Sequence, residues 1–480
     1  MLDNTSQEFL RALEFHKAGR LDDAEDAYLV LLQRSPDHSS ALHNMGVVLA
    51  QKRKQIEAIF YFDRAIAALP DYAEAYNNRG SALLALGRLD QALHSYNQSL
   101  EINPDYWEAS LNLANVFMRL NRYQDALNIY SGVLEIAPEN YRAKFNSGLA
   151  CFALGNLDDA CNYFLQTMAI RKSEINSGYE RELDCFATKS KLQHDAEQFR
   201  YLSKVSFSDL NFNELADGYE KLVTEIDWNK ASEKIVKLTD LKQPQITRTY
   251  NPPFHLVDLS KLEDGVINQR LNTGEITEQF SKSKPNHVFF DNFLSKDTLD
   301  QLRNFLLESI IWHDFRHIDG FLAAYLENGL ATPLLLQIAH DVKLAFPEIL
   351  GKLPLTQVWA FKKLQGDGSI DLHADSGEVS LNFWLTPDEA NLDPDHGGMV
   401  IYGNVPPRDW RLREYSGDVK RIQSFLSRSK GKIIRIPYQE NRAVLFKSEL
   451  FHKSDLVKFK PGYKNHRINI TMIFGFGRLS

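Results

Sequence analysis

His373-Ala374-Asp375 sets an imidazole and a carboxylate two residues apart, and a lone His452 and then Arg467 follow downstream. Two histidines and one carboxylate on one face of a non-haem iron leave open positions for a chelating acid and for oxygen. A guanidinium grips a carboxylate through two parallel hydrogen bonds. These residues predict a mononuclear Fe(II) site with His373, Asp375 and His452 as metal ligands. Arg467 is the expected anchor for the far carboxylate of 2-oxoglutarate, with O2 as the second cosubstrate. An H-x-D pair is a weak signal by itself, and a rival exists in His317-Ile318-Asp319. That pair precedes the main strand series, and the GFLAAYLENG after it reads as a turn into a helix. His373 has strand patterns on both sides, then Gly397-Gly398, His452 and Arg467.

The elements that must position these residues are short and β-rich. TQVWAFKKL, SIDLHAD, VSLNFWLTP, GGMVIYG, KIIRIPY, RAVLFKS and HRINITMIFGF are runs of β-branched and aromatic residues between turn signals. Such a series predicts a double-sheet jelly roll. Side chains alternate along a strand, so His373 and Asp375 are expected to point the same way, and His452 to arrive from the opposite sheet. By the same parity Arg467, Asn469 and Thr471 share a face, while His466 points away. Asn382 and Asn469 are candidates for helping to hold the cosubstrate. HVFFDNFL reads as a strand and SKDTLDQLRNFLLES as a capped amphipathic helix. Residues 403–432 form a long charged insertion between two core strands and are a candidate lid.

The N-terminal third repeats every 34 residues. Prolines at 36, 70, 104 and 138 set the register, alanines recur at 24, 58, 92, 126 and 160, and Tyr28, Phe62, Tyr96, Tyr130 and Phe164 follow them. Gly46, Gly80 and Gly148, with Ala12 and Ala114, fill the slot where two helices approach closely. This pattern resembles the tetratricopeptide repeat, in five helix pairs from residue 5 to residue 174. Asn44, Asn78, Asn112 and Asn146 occupy one position in four successive units, on the helix that lines the concave face of such arrays. An amide both donates and accepts, so this row could pair with the backbone of an extended peptide. It resembles the asparagine ladder of the O-GlcNAc transferase repeats, and it implies a peptide or protein partner in the groove.

Composition narrows the classes. The chain has 480 residues, a net charge of −8 and three cysteines, Cys151, Cys161 and Cys185. That length implies more than one core. The acidic balance gives no basic face for nucleic acid, no apolar run is long enough to span a membrane, and no secretory leader is visible. A cytoplasmic protein with structural thiols is expected; the oligomeric state is not encoded visibly. Three sections are expected: repeats over 1–174, a helical connector or cap over 175–245 and a C-terminal domain over 246–480. Within the connector, GYERELDCFATKSKLQHDAEQFRYLS, NELADGYEKLVTEI and NKASEKIVKLTDL read as helices that close the open end of the solenoid.

Taken in order, FFDNFLSKDTLDQL, QVWAFKKL, the H-x-D pair, WLTPD, VLFKSELFH and Arg467 resemble an Fe(II)/2-oxoglutarate-dependent oxygenase with a prolyl 4-hydroxylase-like layout. The fold class implied is α + β multidomain: an α-solenoid, a helical connector and a double-stranded β-helix. The resemblance implies the same ligands and the same anchor. It departs from the prolyl enzymes where Arg467 replaces the usual lysine and Phe361 the usual tyrosine, so prolyl specificity does not follow. Retention of Asp375 favours hydroxylation over halogenation. The expected function is hydroxylation of a peptide or protein side chain held by the repeats. The alternatives are oxidation of a small metabolite, with the repeats serving assembly, and a non-catalytic scaffold.

Overall fold

The structure, a computed structural model, describes residues 4–177, 186–206, 210–228, 235–238, 250, 255–315, 320–364, 371–429 and 431–477. It divides into two compact units, Met1–Ala150 and Cys151–Arg478.

The repeat period becomes a series of helix pairs: α1 (Asn4–Lys17) with α2 (Leu21–Arg34), α3 (Ser39–Gln51) with α4 (Gln55–Ala68), α5 (Ala73–Ala85) with α6 (Leu89–Ile102), and α7 (Trp107–Arg119) with α8 (Tyr123–Ile136). Helices α9 (Tyr141–Ala153) and α10 (Leu157–Ser177) complete the five expected units. The glycine slot has a steric cause. A Cβ on Gly46 would lie 2.6 Å from the Phe62 ring, and one on Gly80 would lie 2.7 Å from the Tyr96 ring. The aromatic of the second helix therefore fills the space that glycine leaves on the first. Ala12, Ala24, Ala58, Tyr28 and Phe62 are fully buried in one apolar core.

In the second unit α10 packs against α15 (Pro333–Ala345), and Asp158 on α10 is ion-paired with Lys261. The last repeat helix therefore shares the core of the C-terminal section, and the compact division falls earlier than the expected boundary at 174. The connector also departs from expectation. Its described helices, α11 (Lys189–Val205) and α12 (Phe212–Glu225), share an apolar cluster with Tyr250 and Ile310 of their own unit. Gln198 on α11 donates to the carbonyls of Leu307 and Ser309. Phe186–Thr188 and Ile235–Lys237, both expected to be helical, are instead paired strands, β1 and β2. The segment before Phe186 lies outside the described residues, as do Cys185, the His317/Asp319 pair and most of 242–254.

Two antiparallel sheets carry the chemistry-bearing residues. The larger has the order β3-β9-β6-β11-β5-β4 and the smaller β10-β7-β8. These strands are β3 (His287–Phe290), β4 (Phe321–Tyr325), β5 (Leu355–Lys363), β6 (Val379–Trp384), β7 (Met399–Tyr402), β8 (Ile433–Ile436), β9 (Ala443–Lys447), β10 (His452–Ser454) and β11 (Arg467–Phe474). Phe321–Tyr325, read from sequence as leading into a helix, pairs with β5 as an edge strand. One face of the larger sheet is lined with helix. Phe383 meets Phe293 beside α14 (Lys296–Glu308), and Lys362 Nζ reaches His194 of α11 and the Tyr463 hydroxyl. On the opposite face Trp384, Val444 and Phe446 join Met399, Ile401 and Ile436 of the smaller sheet in one apolar cluster. Register puts Arg467, Asn469 and Thr471 on this inner face, because Asn469 opposes Trp384 and Thr471 opposes Asn382. Among the described residues no helix is long and apolar enough to cross a membrane.

Candidate metal centre

His373, Asp375 and His452 come together, with one potential ligand atom from each lying within 4.8 Å of the others. Sequence parity anticipated this, although His373 does not sit in a regular strand. Instead it forms an isolated bridge with His452: each backbone N–H donates to the other's carbonyl, at 3.0 and 2.8 Å. The N–H of Ala374 donates to Tyr415 and that of Asp375 to Ser448, which fixes the turn of the two ligand side chains.

The tautomers follow from the carbonyls beside the rings. His373 Nδ1 is 2.7 Å from the Asp371 carbonyl and His452 Nδ1 is 2.9 Å from the Leu450 carbonyl. A carbonyl only accepts, so both Nδ1 atoms carry the proton and both Nε2 atoms present a bare lone pair. Those Nε2 atoms converge on one carboxylate, each 3.5 Å from a different Asp375 oxygen. Asp375 Oδ2 also accepts from the buried Ser380 hydroxyl at 2.9 Å, and Ser448 stands 2.9 Å beyond Ser380. The arrangement is that of a ligand set with its supporting shell: each imidazole is oriented by a carbonyl and the carboxylate by a hydroxyl.

Electrostatics agree with that description. Burial would lower His373, but Asp375, which can accept from Nε2–H and offset the charge once the ring is protonated, outweighs it and holds the imidazole above its ordinary value. Burial lowers His452 to about 4, which keeps it neutral. Asp375 would be raised by burial, yet the two imidazoles and Ser380 bring it below the usual carboxylate range. His373 is the most open of the three, with 23% of its side chain exposed against 6% for each partner.

Arg467 is 2% exposed, between the rings of Trp384 and Tyr438. Its Nε donates to the Gly397 carbonyl at 2.7 Å, Nη2 to the Gly398 carbonyl at 3.3 Å and Nη1 to Asn469 Oδ1 at 2.9 Å. A guanidinium has five N–H donors; these three bonds leave one N–H unused on each terminal nitrogen. Among the described residues no carboxylate lies within ion-pair distance of it. Burial brings its pKa down to about 10, so it remains a cation at neutral pH. Glycine is required opposite it: a Cβ on Gly398 would lie 2.0 Å from the Ile436 carbonyl oxygen. Asn382 donates to Thr471 at 2.6 Å, while its Oδ1 and the Trp384 indole N–H are buried without a protein partner among the described residues. A buried cation with unused N–H donors, beside the unpartnered Trp384 indole N–H, suits an anionic ligand.

Sequence reading missed Ser380 and Ser448, although Ser380 lies on the same face as Asn382 by simple alternation. It also missed the glycine carbonyls that hold Arg467, since Gly397-Gly398 registered only as a turn. The 403–432 insertion contains α16 (Leu412–Ser416) and α17 (Val419–Arg428). Tyr415 and Ile422 of these helices pack on Leu372, Ala374 and Phe451, the immediate neighbours of the ligands.

The asparagine row behaves differently from a free row of amides. All four are partly buried and bonded within the solenoid. Asn44 Oδ1 is 3.3 Å from His43 Nδ1, and the Asn78 amide is 2.8 Å from His43 Nε2. Asn112 donates to Asn77 Oδ1 at 2.9 Å and Asn146 to Asn115 Oδ1 at 3.0 Å. Cys151 and Cys161 are buried free thiols, and burial raises both.

No curated protein matches the chain. Among solved structures it is similar to a MamA protein, at 24% identity over 37% of this chain and 95% of that one, with a TM-score of 0.33. MamA from Desulfovibrio magneticus RS-1 is 17% identical over 36% of this chain and 98% of its own, with a TM-score of 0.34. YrrB, described as a TPR protein with an unusual peptide-binding site, is 20% identical over 36% of this chain and 89% of its own, with a TM-score of 0.31. The tetratricopeptide-repeat family model matches residues 9–73, 57–106, 77–140 and 111–173. The N-terminal region is thus a solenoid of tetratricopeptide repeats, an architecture suited to protein interaction.

Proposed function

We propose that this chain is an Fe(II)- and 2-oxoglutarate-dependent hydroxylase with a jelly-roll catalytic domain, acting on a peptide or protein side chain captured by the repeats. The observation that carries the reading is a paired one. Two imidazoles and one carboxylate converge in one place, and a buried guanidinium with an unused N–H on each terminal nitrogen stands on the inner sheet face. Fe(II) fits the donor set, since two nitrogens and one oxygen leave the open positions that non-haem oxygenases need. When bound, the metal supplies one-electron activation of O2. The remaining work belongs to the chain. The carbonyls of Asp371 and Leu450 hold the Nδ1 protons, Ser380 orients Asp375, and Arg467 with Asn469 would hold the far carboxylate of 2-oxoglutarate. Phe446, Val444, Met399 and Ile401 pack with Trp384 in the apolar layer between the sheets, which would keep water from the site. The repeats would raise the local concentration of a polypeptide without altering the pocket.

One observation favours a second reading, oxidation of a small metabolite: the asparagine row is already bonded inside the solenoid and need not face a ligand. The repeats alone fit a non-catalytic scaffold as well. The test is anaerobic Fe(II) titration of the full chain, followed by succinate production from 2-oxoglutarate in air. The expected result is stoichiometric binding and turnover, both lost in His373→Ala, Asp375→Ala and His452→Ala with the fold kept. Absence of Fe(II) binding by the unsubstituted chain would leave the scaffold reading.

A further inference from the structure

The insertion between β7 and β8 has a charge opposite to that of the chain around it. Residues 403–432 hold eight Lys and Arg against three acids, in a chain of net charge −8. Two of the three acids, Glu414 and Asp418, are occupied locally, and Asp409 is exposed. Glu414 accepts from the Arg411 backbone N–H and pairs with Arg421 at 2.9 Å, and Asp418 caps α17 by accepting from the Arg421 N–H. Arg408, Arg411, Arg413, Lys420, Arg428 and Lys432 remain exposed, with no ion pair to a described acid.

These cations are not on a loose loop. The apolar side of the insertion, Tyr415, Ile422, Trp410 and Phe425, packs on Leu372, Ala374 and Phe451. The Trp410, Phe425 and Phe451 rings lie 5.4 to 6.2 Å apart. Leu372 and Ala374 alternate with His373 and Asp375, and Phe451 precedes His452. The insertion is therefore fastened to Leu372, Ala374 and Phe451, the chain neighbours of the metal-ligand candidates, which anchors its charged helices to those segments. A fixed positive surface in an otherwise acidic protein attracts anions and sets their orientation before contact.

We infer that the polypeptide segment delivered to the metal centre is acidic, with Asp and Glu side chains near the oxidised residue docking on the exposed cations of 403–432. This rests on the hydroxylase reading. A phosphate backbone is the other anion that such cations could meet, and the oligothymidylate arm of the test distinguishes it.

The probes are a fluorescein-labelled peptide of alternating Glu and Ser, its Gln counterpart and an oligothymidylate of matched charge, each titrated with full-length protein by anisotropy. The Glu peptide should bind, weaken as salt rises, and bind about tenfold less tightly to the combined Arg408→Gln, Arg411→Gln, Arg413→Gln and Lys420→Gln protein, as expected for several modest exposed contacts. The corresponding Arg→Lys protein should retain binding, which separates charge from folding. Equal affinity of the Gln-substituted and unsubstituted proteins for the Glu peptide overturns the inference. So does tighter binding of the oligothymidylate than of the Glu peptide. His373→Ala should leave Glu-peptide affinity unchanged. If Fe(II) binding fails while the charge-dependent affinity persists, the hydroxylase reading falls and the docking surface stands.

Discussion

Replacing Ser380 by alanine tests whether the trio is a metal site rather than a polar knot in a β-sheet. The side chain is fully buried on β6, and its hydroxyl is 2.9 Å from Asp375 Oδ2 and 2.9 Å from Ser448 Oγ. Alanine removes one oxygen and leaves the backbone pairing of Ser380 with Ile473 and Phe446 untouched. What is lost is a hydrogen bond to a charged acceptor, worth ~1.5–3 kcal/mol. If that bond serves to aim Asp375, the loss appears in metal affinity as a drop of roughly ten- to a hundredfold, the range seen when supporting partners of metal ligands are removed. The assay is competition for Fe(II), or for Co(II) as an air-stable substitute, against a chromophoric chelator at fixed pH. Thermal melting of the metal-free proteins gives the structural cost separately. An unchanged metal affinity with a lowered melting temperature would refute the reasoning, because it would make Ser380 a packing residue and nothing more.

Arg467→Ala should raise the 2-oxoglutarate concentration needed for half-maximal succinate production by about one to two decades, from a lost charge-assisted contact of ~1.5–3 kcal/mol. Metal affinity should change little, and an unmoved half-saturation point removes Arg467 from the anchoring role. Metal affinity should also depend on pH in a stated direction. His373 is held above its ordinary value, so its proton persists to higher pH and competes with metal as pH falls through that value. Asp375, held low, and His452, near 4, titrate below this window; flat affinity from pH 8 to pH 6 would contradict the assignment, since ordinary imidazole titrates at about 6.5. Substituting Asn44, Asn78, Asn112 and Asn146 together by alanine should lower the melting temperature, because bonds across repeats worth ~0.5–1.5 kcal/mol each are removed. It should also slow turnover of a polypeptide substrate more than uncoupled 2-oxoglutarate consumption; equal effects on both would favour the small-metabolite reading.

What could be read from the sequence depended on how locally each feature is determined. The repeats were legible because one unit specifies its own packing: Gly46 and Phe62 fit each other within a single helix pair, and the same fit recurs at Gly80 and Tyr96. Phe321–Tyr325 was misread because FLAAY is a short apolar run with no period. Its state was decided by a long-range partner, β5, along which it forms an edge strand. The connector helices were legible as helices, but not their neighbours within the C-terminal unit, since an amphipathic face says that something covers it and not what. Gln198 and His194 carry the answer through bonds to Ser309 and Lys362, more than a hundred residues away.

The candidate site shows why parity can succeed even where the secondary structure it assumed is missing. His373 and Asp375 were expected to share a face because they alternate in a strand, yet residues 371–378 form no regular strand. Their common direction comes instead from four backbone bonds: His373 and His452 exchange two, Ala374 donates to Tyr415 and Asp375 donates to Ser448. Those bonds impose an extended path on the three residues and so reproduce the alternation that a full strand would give. One of the four comes from the 403–432 insertion, whose length and charge had suggested only a cover. The insertion therefore helps to set the geometry of the candidate ligands through Tyr415, and the same packing anchors its charged helices to the segment that carries them. A change that loosens Tyr415 or Ile422 should disturb metal affinity and anionic docking together, whereas neutralising the cations alone should disturb only docking.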